Sequence, residues 1–156
     1  MEKPNDEIWM LCTNSAMRRA TRQLGQLYDG VLGNSGLKGT QFTLLSQIRH
    51  DGAPALKALA EALVMDLSAL GHTLKPLMRD GLVELVADEK DKRIKHARLT
   101  ALGEKTQADM VERWQEAQAR FDGAFGKEKS KEIRRALAVI ASPGFAKAFS
   151  GEPGDS

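Results

Sequence analysis

The sequence is short of several things, and each shortage narrows what the chain can be. It holds a single cysteine, Cys12, so an internal disulfide framework is excluded. No apolar run approaches the roughly 18 residues of a membrane-spanning helix. The opening MEKPNDEIWM has acids where a secretory signal would have bases followed by an apolar core, and a cytoplasmic location is expected. Charge of one sign is lacking too: 23 Lys and Arg against 21 Asp and Glu leave a net +2. Total charge therefore does not announce a nucleic-acid binder, and its distribution has to be examined. The three histidines, His50, His72 and His96, have neither the i, i+4 nor the short-loop spacing of a metal site, so no metal or other cofactor is expected. There is no GxSxG, no phosphate loop and no paired-carboxylate signal, and no spacing joins Cys12 to His50 and Asp51 as a nucleophile set. No enzyme is expected.

What is present is a helical pattern. A chain of 156 residues with 42% hydrophobic and 28% charged content suits one globular domain with a real core. Residues 7–32 read as one helix, with Ile8, Leu11, Cys12 and Ala16 on one face and Leu24, Leu27, Tyr28, Val31 and Leu32 at helical spacing further on. The segment GNSGLKG is a loop. Thr40 is placed to cap a second helix carrying Phe42, Leu45 and Ile48, which HDGAP ends. Leu56, Leu59, Ala60 and Leu63 make a short amphipathic helix. Asp66 then caps another, with Leu67, Leu70, Leu74, Leu77 and Met78 as its apolar face and Gly81 at its end. Two short helices joined by a tight turn form either a helix-turn-helix or a plain helical hairpin. Gly71 weakens the second helix by about 1 kcal/mol against alanine. Pro76 removes the bond to the His72 carbonyl, which predicts a kink or an early helix end.

Next, LVELVA and RIKHARL read as antiparallel partners around a DEKDK tip. Such a ribbon is marginal alone and must lean on a helix layer. Asp88–Arg98 carries five Lys or Arg against three Asp or Glu, so a projecting tip with local excess positive charge is expected. Thr100 caps a long helix with Val111, Trp114, Gln118, Phe121 and Phe125 as its stripe. FGKEKS interrupts it, and a last helix with Ile133, Leu137 and Ile140 ends at SPG. No proline lies between Pro76 and Pro143. The tail, residues 151–156, reads as disordered. Trp114, Phe121 and Phe125 are more apolar surface than so small a centre can cover, which points to a second subunit.

The segment DKRIKHARLTALG, Asp91 to Gly103, resembles the wing signature of the MarR (multiple antibiotic resistance regulator) family: an Asp and an Arg separated by one residue, then Leu-Thr, then a glycine three residues on. LAEALVMDLSALGHTLKPLMRDGLVE is similar to the family's helix-turn-helix, including the Gly-Leu-Val after the second helix. The resemblance covers residues 40–105 by pattern and nearly the whole chain by element order. It implies a mainly α fold with a small β-hairpin, a winged helix-turn-helix over residues 38–100 with its wing at about 82–99. Dimerisation helices over 7–35 and 101–150 would flank it, all in one domain over 1–150.

The resemblance further implies a sequence-specific transcriptional regulator, a homodimeric repressor on a pseudo-palindromic double-stranded operator, released by a small ligand or by oxidation. Arg93 would enter the minor groove, where a narrow groove's negative potential draws it. Asp91 would orient the wing, and Lys90, Lys92 and Lys95 would meet phosphates. In the recognition helix, Ser68, His72, Thr73 and Lys75 are the candidate contacts. Some relatives sense organic hydroperoxides through a cysteine in the first helix, where Cys12 sits with Arg18 and Arg19 near enough to favour a thiolate; the alternative is a small packing cysteine. A ligand pocket between the dimer helices and the DNA-binding lobe would draw on Arg19, Phe42 and Trp114, with core packing as the other role for the two aromatics. Outside the regulator reading stand a helical protein-interaction module without a DNA role and a small Cys-dependent enzyme.

Overall fold

The structure, a computed structural model, describes residues 4–33 and 35–151. Within them the order is α1 (Pro4–Leu11), α2 (Thr13–Leu32), α3 (Gly39–Asp51), α4 (Leu56–Ala62), α5 (Leu67–Arg79), β1 (Val83–Ala87), β2 (Lys95–Leu99), α6 (Ala101–Phe125), α7 (Lys127–Ile140) and α8 (Pro143–Ser150). The fold is mainly helical with one two-stranded antiparallel hairpin.

The first helix, expected as one piece over 7–32, is two. Cys12 takes an extended conformation (φ −74°, ψ 100°) and its sulfur accepts the Ser15 N–H at 3.4 Å. Thr13, Asn14 and Ser15 follow it, and such short polar side chains favour capping over helix interiors. Thr40 does not cap α3. Lys38 is the N-cap, its N–H bonded to Gln41 Oε1 at 3.0 Å, and Asp29 on α2 accepts the Gly39 N–H at 2.7 Å. An acid from the preceding helix thus does the work expected of a threonine.

The helix-turn-helix is formed by α4 and α5. Asp66 caps α5 through the Ala69 N–H at 2.7 Å. The helix does not stop early at Pro76 but runs to Arg79. Leu74 and Leu77, both buried, clamp it on either side of the proline, and His72, whose carbonyl loses its partner, lies on the exposed face. Gly81 (φ 75°) then closes the helix while Leu82 N–H reaches back to the Leu77 carbonyl at 2.9 Å, a Schellman closure.

Val83 pairs with Leu99 and Ala87 with Lys95. The tip therefore spans 88–94, and Arg93 and Ile94, expected on the second strand, belong to the turn. The ribbon leans on the α3–α4 connection: Ala97 N–H donates to the Pro54 carbonyl at 2.9 Å, and Ala55 bridges His96. Thr100 caps α6 through the Gly103 N–H at 3.0 Å and donates its hydroxyl to the Gly81 carbonyl at 2.6 Å. Gly103 has no room for a side chain, because a Cβ there would collide with the Leu82 carbonyl.

Only Gly126 (φ 100°) separates α6 from α7, a shorter break than FGKEKS. The chain does not end its helices at SPG either. Ser142 accepts the Phe145 N–H at 3.2 Å and Pro143 occupies the first turn of α8, the arrangement that starts a helix. Of the tail, Gly151 closes α8, and residues 152–156 lie outside the described residues.

The core joins α3, α4, α5, the hairpin and α6 through Leu45, Ile48, Leu59, Leu70, Leu77, Ala97 and Met110, each at most 2% exposed. Buried Gln107 on α6 is satisfied by Arg49 at 2.7 Å and Ser46 at 3.2 Å, both on α3. Apolar surface left bare lies on α1 (Ile8, Trp9, Met10, Leu11) and on α7–α8 (Val139, Ile140, Phe145, Phe149). Of the stripe expected to be bare, Phe121 is half-buried and stacks on Phe125 at 5.4 Å, and Trp114 is 39% exposed. Among the described residues no helix is long and apolar enough to cross a membrane.

Candidate nucleic-acid interface and ligand cavity

α5 presents two faces. Leu70, Leu74 and Leu77 are buried, while Ser68, His72 and Lys75 are exposed, so three of the four candidate contacts share the outward side at helical spacing. The fourth does not. Thr73 is half-buried, bonds back to the Ala69 carbonyl at 3.0 Å and lines a cavity that opens to solvent.

The wing tip is organised by two aspartates. Asp88 Oδ2 accepts the N–H groups of Lys90 (2.9 Å) and Asp91 (3.0 Å), folding the turn. Asp91 accepts three donors of one residue: the Arg93 N–H and Nε at 3.0 Å and Nη2 at 2.9 Å. This two-pronged pairing lowers the Asp91 carboxyl below its ordinary range and raises the Arg93 guanidinium. The Arg93 side chain is nonetheless 91% exposed, so it is aimed without being hidden. Lys90, Lys92 and Lys95 are exposed around it.

Sequence reasoning passed over His96. Its Nε2 lies 2.8 Å from Asp88 Oδ1 and its Nδ1 lies 2.9 Å from the Ala53 carbonyl. Both partners are acceptors, so both contacts are hydrogen bonds only when the ring carries both protons. The hydrogen bond to Asp88 accordingly raises the His96 pKa above 6.5. Asp88 falls to about 2, first through the Asp91 N–H and then through His96. The signal was hidden because only the hairpin register brings positions 88 and 96 together.

The sign of the pH dependence follows. Asp88 stabilises the wing above its ordinary 3.8 and that contribution fades as pH falls through about 2. His96 stabilises it fully below 6.5, and that contribution is lost as pH rises through the raised value. Imidazole NMR should show His96 titrating above 6.5, with Asp88→Asn returning it toward 6.5 and speeding amide exchange across the tip. A His96 midpoint unmoved by Asp88→Asn would refute the clasp.

A cavity of about 780 Å³ lies among α2, α3, α6 and α7, lined by Leu24, Tyr28, Phe42, Trp114, Gln118 and Arg134 among others. Its wall is mostly apolar. One corner is polar: Tyr28 donates to Gln118 Oε1 at 3.1 Å, Gln118 Nε2 donates to Asp122 at 3.0 Å, and Arg134 pairs with Asp122 at 3.8 Å. Burial and then the Asp122 charge raise the Tyr28 pKa, so the phenol stays a neutral donor. Phe42 and Trp114 line this cavity, and Phe42 is also part of the buried core. Arg19 does not line it: its guanidinium lies over the Trp9 ring, 5.1 Å from the centroid. Tyr28, Gln118 and Arg134 were missed as wall residues. Cys12 is half-buried at the α1–α2 break.

An outward helix face beside an aimed, basic wing defines a class: this is a winged helix-turn-helix DNA-binding transcriptional regulator. The family model for the MarR family matches residues 37–95. A structure of the transcriptional regulator MosR from M. tuberculosis in complex with DNA is 34% identical, with 86% of this chain and 97% of that one covered and a TM-score of 0.77. The chain belongs to the MarR family. Two more distant structures share its fold. A mutant MarR from E. coli complexed with operator DNA is 19% identical over 86% of this chain and 96% of that one, with a TM-score of 0.76. PcaV from Streptomyces coelicolor, in complex with its natural ligand, is 17% identical over 86% and 95%, also at 0.76. No curated protein sequence matches the chain.

Proposed function

We propose that the chain is a cytoplasmic homodimeric repressor, without enzymatic activity or cofactor, that leaves its operator when the cavity is filled. Residues 38–100 read the DNA, and α1, α2, α6, α7 and α8 join the subunits. Ser68, His72 and Lys75 face the major groove, Arg93 enters the minor groove, Lys90, Lys92 and Lys95 meet phosphates, and Asp91 holds Arg93 in line.

The observation that carries control by a ligand is the cavity's reach. Met65, in the turn before α5, and Thr73, within α5, belong to its wall along with Tyr28 and Trp114. A molecule wedged there bears directly on the recognition helix. The apolar wall and the Tyr28–Gln118–Arg134 corner suit a small aromatic compound with one hydrogen-bonding group.

Oxidation is the second reading, favoured by the break at Cys12. The thiol sits where two helices meet, so conversion to a bulkier polar sulfenic acid strains that joint. The arrangement puts ligand and oxidant on separate residues, and one experiment divides them. Operator release is followed by fluorescence anisotropy for wild type, Trp114→Ala and Cys12→Ser, with a panel of aromatic acids and phenols and with an organic hydroperoxide. Release by a panel member that Trp114→Ala weakens about tenfold or more supports the cavity. Release by hydroperoxide that Cys12→Ser abolishes supports the thiol. A wild type that responds to neither overturns both.

A further inference from the structure

α5 carries an oddity that DNA binding as described above leaves unexplained. Gly71 lies in its interior, exposed, with negative φ, and a Cβ built there meets nothing within 4 Å. Among the described residues nothing requires glycine at this position. Gly103 is the contrast, since a Cβ there would strike the Leu82 carbonyl. Yet glycine costs a helix about 1 kcal/mol relative to alanine, and α5 already bears Pro76. Other helical glycines in open space, Gly25, Gly30 and Gly123, lie on α2 and α6, the helices assigned above to the cavity and the partner subunit. Gly71 is on the helix assigned to DNA.

A second observation lies one turn away. Leu67 is 58% exposed, although it opens a helix whose other leucines, Leu70, Leu74 and Leu77, are buried. Positions 67, 71 and 75 follow one another at i, i+4 spacing, and 68 lies three before 71, so they share one side of the helix. That side shows an aliphatic side chain, a gap where a methyl is missing, a lysine and a serine.

We propose that Gly71 is a docking notch for the C5-methyl of a thymine in the major groove, with Leu67 as the apolar wall of the notch. This rests on the assignment of α5 as the recognition helix. A glycine lets backbone approach a partner closely, and in the major groove the thymine methyl is the one apolar knob a base edge offers. Leucine beside it supplies an apolar contact that a serine or lysine cannot. The helix gives up intrinsic stability to sit one methyl deeper in the groove. Lys75 reaches phosphate or base from the next turn, and Ser68 supplies a hydrogen bond beside the notch.

The proposal predicts opposite signs for stability and binding. The operator is selected from random-sequence DNA with the wild-type chain. Wild type and Gly71→Ala are then compared on that operator and on versions in which each thymine is singly replaced by deoxyuridine, which removes only the methyl. Gly71→Ala should melt about 2–4 °C higher and bind the operator about tenfold more weakly. One deoxyuridine per half-site should weaken wild type and restore Gly71→Ala, because the alanine methyl then fills the place of the missing one. Leu67→Ala should lose sensitivity to that same deoxyuridine. Equal binding by wild type and Gly71→Ala, a lower melting temperature, or a loss that no deoxyuridine restores would each overturn the notch. Failure of the wild-type chain to select any DNA would instead overturn the assignment of α5 as a reading helix, and the notch with it.

Discussion

Phe149→Asp should turn the protein into a 17.1 kDa monomer and reduce affinity for a full operator by about a hundredfold or more. Phe149 is 84% exposed on α8, which continues the bare apolar surface of Val139, Ile140 and Phe145. A phenyl group so exposed contributes little to the fold of one chain, so the variant should keep its helical content. If α8 joins the subunits as proposed, the same position is covered in the dimer, and an unpaired carboxylate buried there costs about 3–5 kcal/mol. The consequence for DNA follows from geometry. Two recognition helices one turn of DNA apart bind as a unit, and the second half-site benefits from the first only while the subunits stay joined. Light scattering gives the mass, and binding to half and full operators gives the coupling. A variant that remains dimeric would place the subunit contact elsewhere.

Arg93→Ala should cost about 1–3 kcal/mol of operator binding, roughly a tenfold to hundredfold loss, with the fold unchanged. Among the described residues the hydrogen bonds of the side chain go to Asp91, across the exposed tip, and surface pairs of this kind add little to stability. On the proposed interface its value lies in arriving at the groove already aimed. Asp91→Asn keeps the arginine but loosens its aim, and should weaken binding less than removal of the arginine itself. Lys92→Ala should mainly flatten the salt dependence, as expected for a phosphate contact. Unchanged affinity in folded Arg93→Ala would remove the tip from the interface.

Much of the fold was legible because its signals are local. Asp66 and Thr100 announce their helices by the cap chemistry that the structure shows, and Gly81 announces the end of α5. The hairpin was legible from two β-rich runs around a charged turn. What escaped depends on distant partners. Thr40 looked like a cap only because Asp29, ten residues before Gly39, was not known to reach it. Pro76 looked like a stop because the burial of Leu74 and Leu77 around it is a tertiary fact. α8 was lost because Ser-Pro-Gly can end one helix and start the next, and the sequence was read only for the ending.

The candidate site divides in the same way. Polarity within the resembled recognition helix offered Ser68, His72 and Lys75, but it also admitted Thr73, which the structure turns onto the Ala69 carbonyl and the cavity wall. Phe42 and Trp114 were found as large side chains on apolar faces. Tyr28, Gln118 and Arg134 come from three helices, and nothing in one sequence says that they converge. Arg19 was offered for the pocket through the family resemblance, and in the structure it lies over the Trp9 ring instead.

The contact at Gly103 has a mechanical consequence. With the α6 backbone set flush against the Leu82 carbonyl, and Thr100 bonded to Gly81, the root of the wing and the start of α6 move as one piece. The 25 residues of α6 make a rigid arm about 37 Å long. A turn of one degree about either end displaces the other by about 0.6 Å on that length, and ten degrees displaces it by about the width of a minor groove. Small adjustments around Trp114, midway along the arm, are thereby geared up at the wing, as a lever with a short inner throw moves its far end through a long arc.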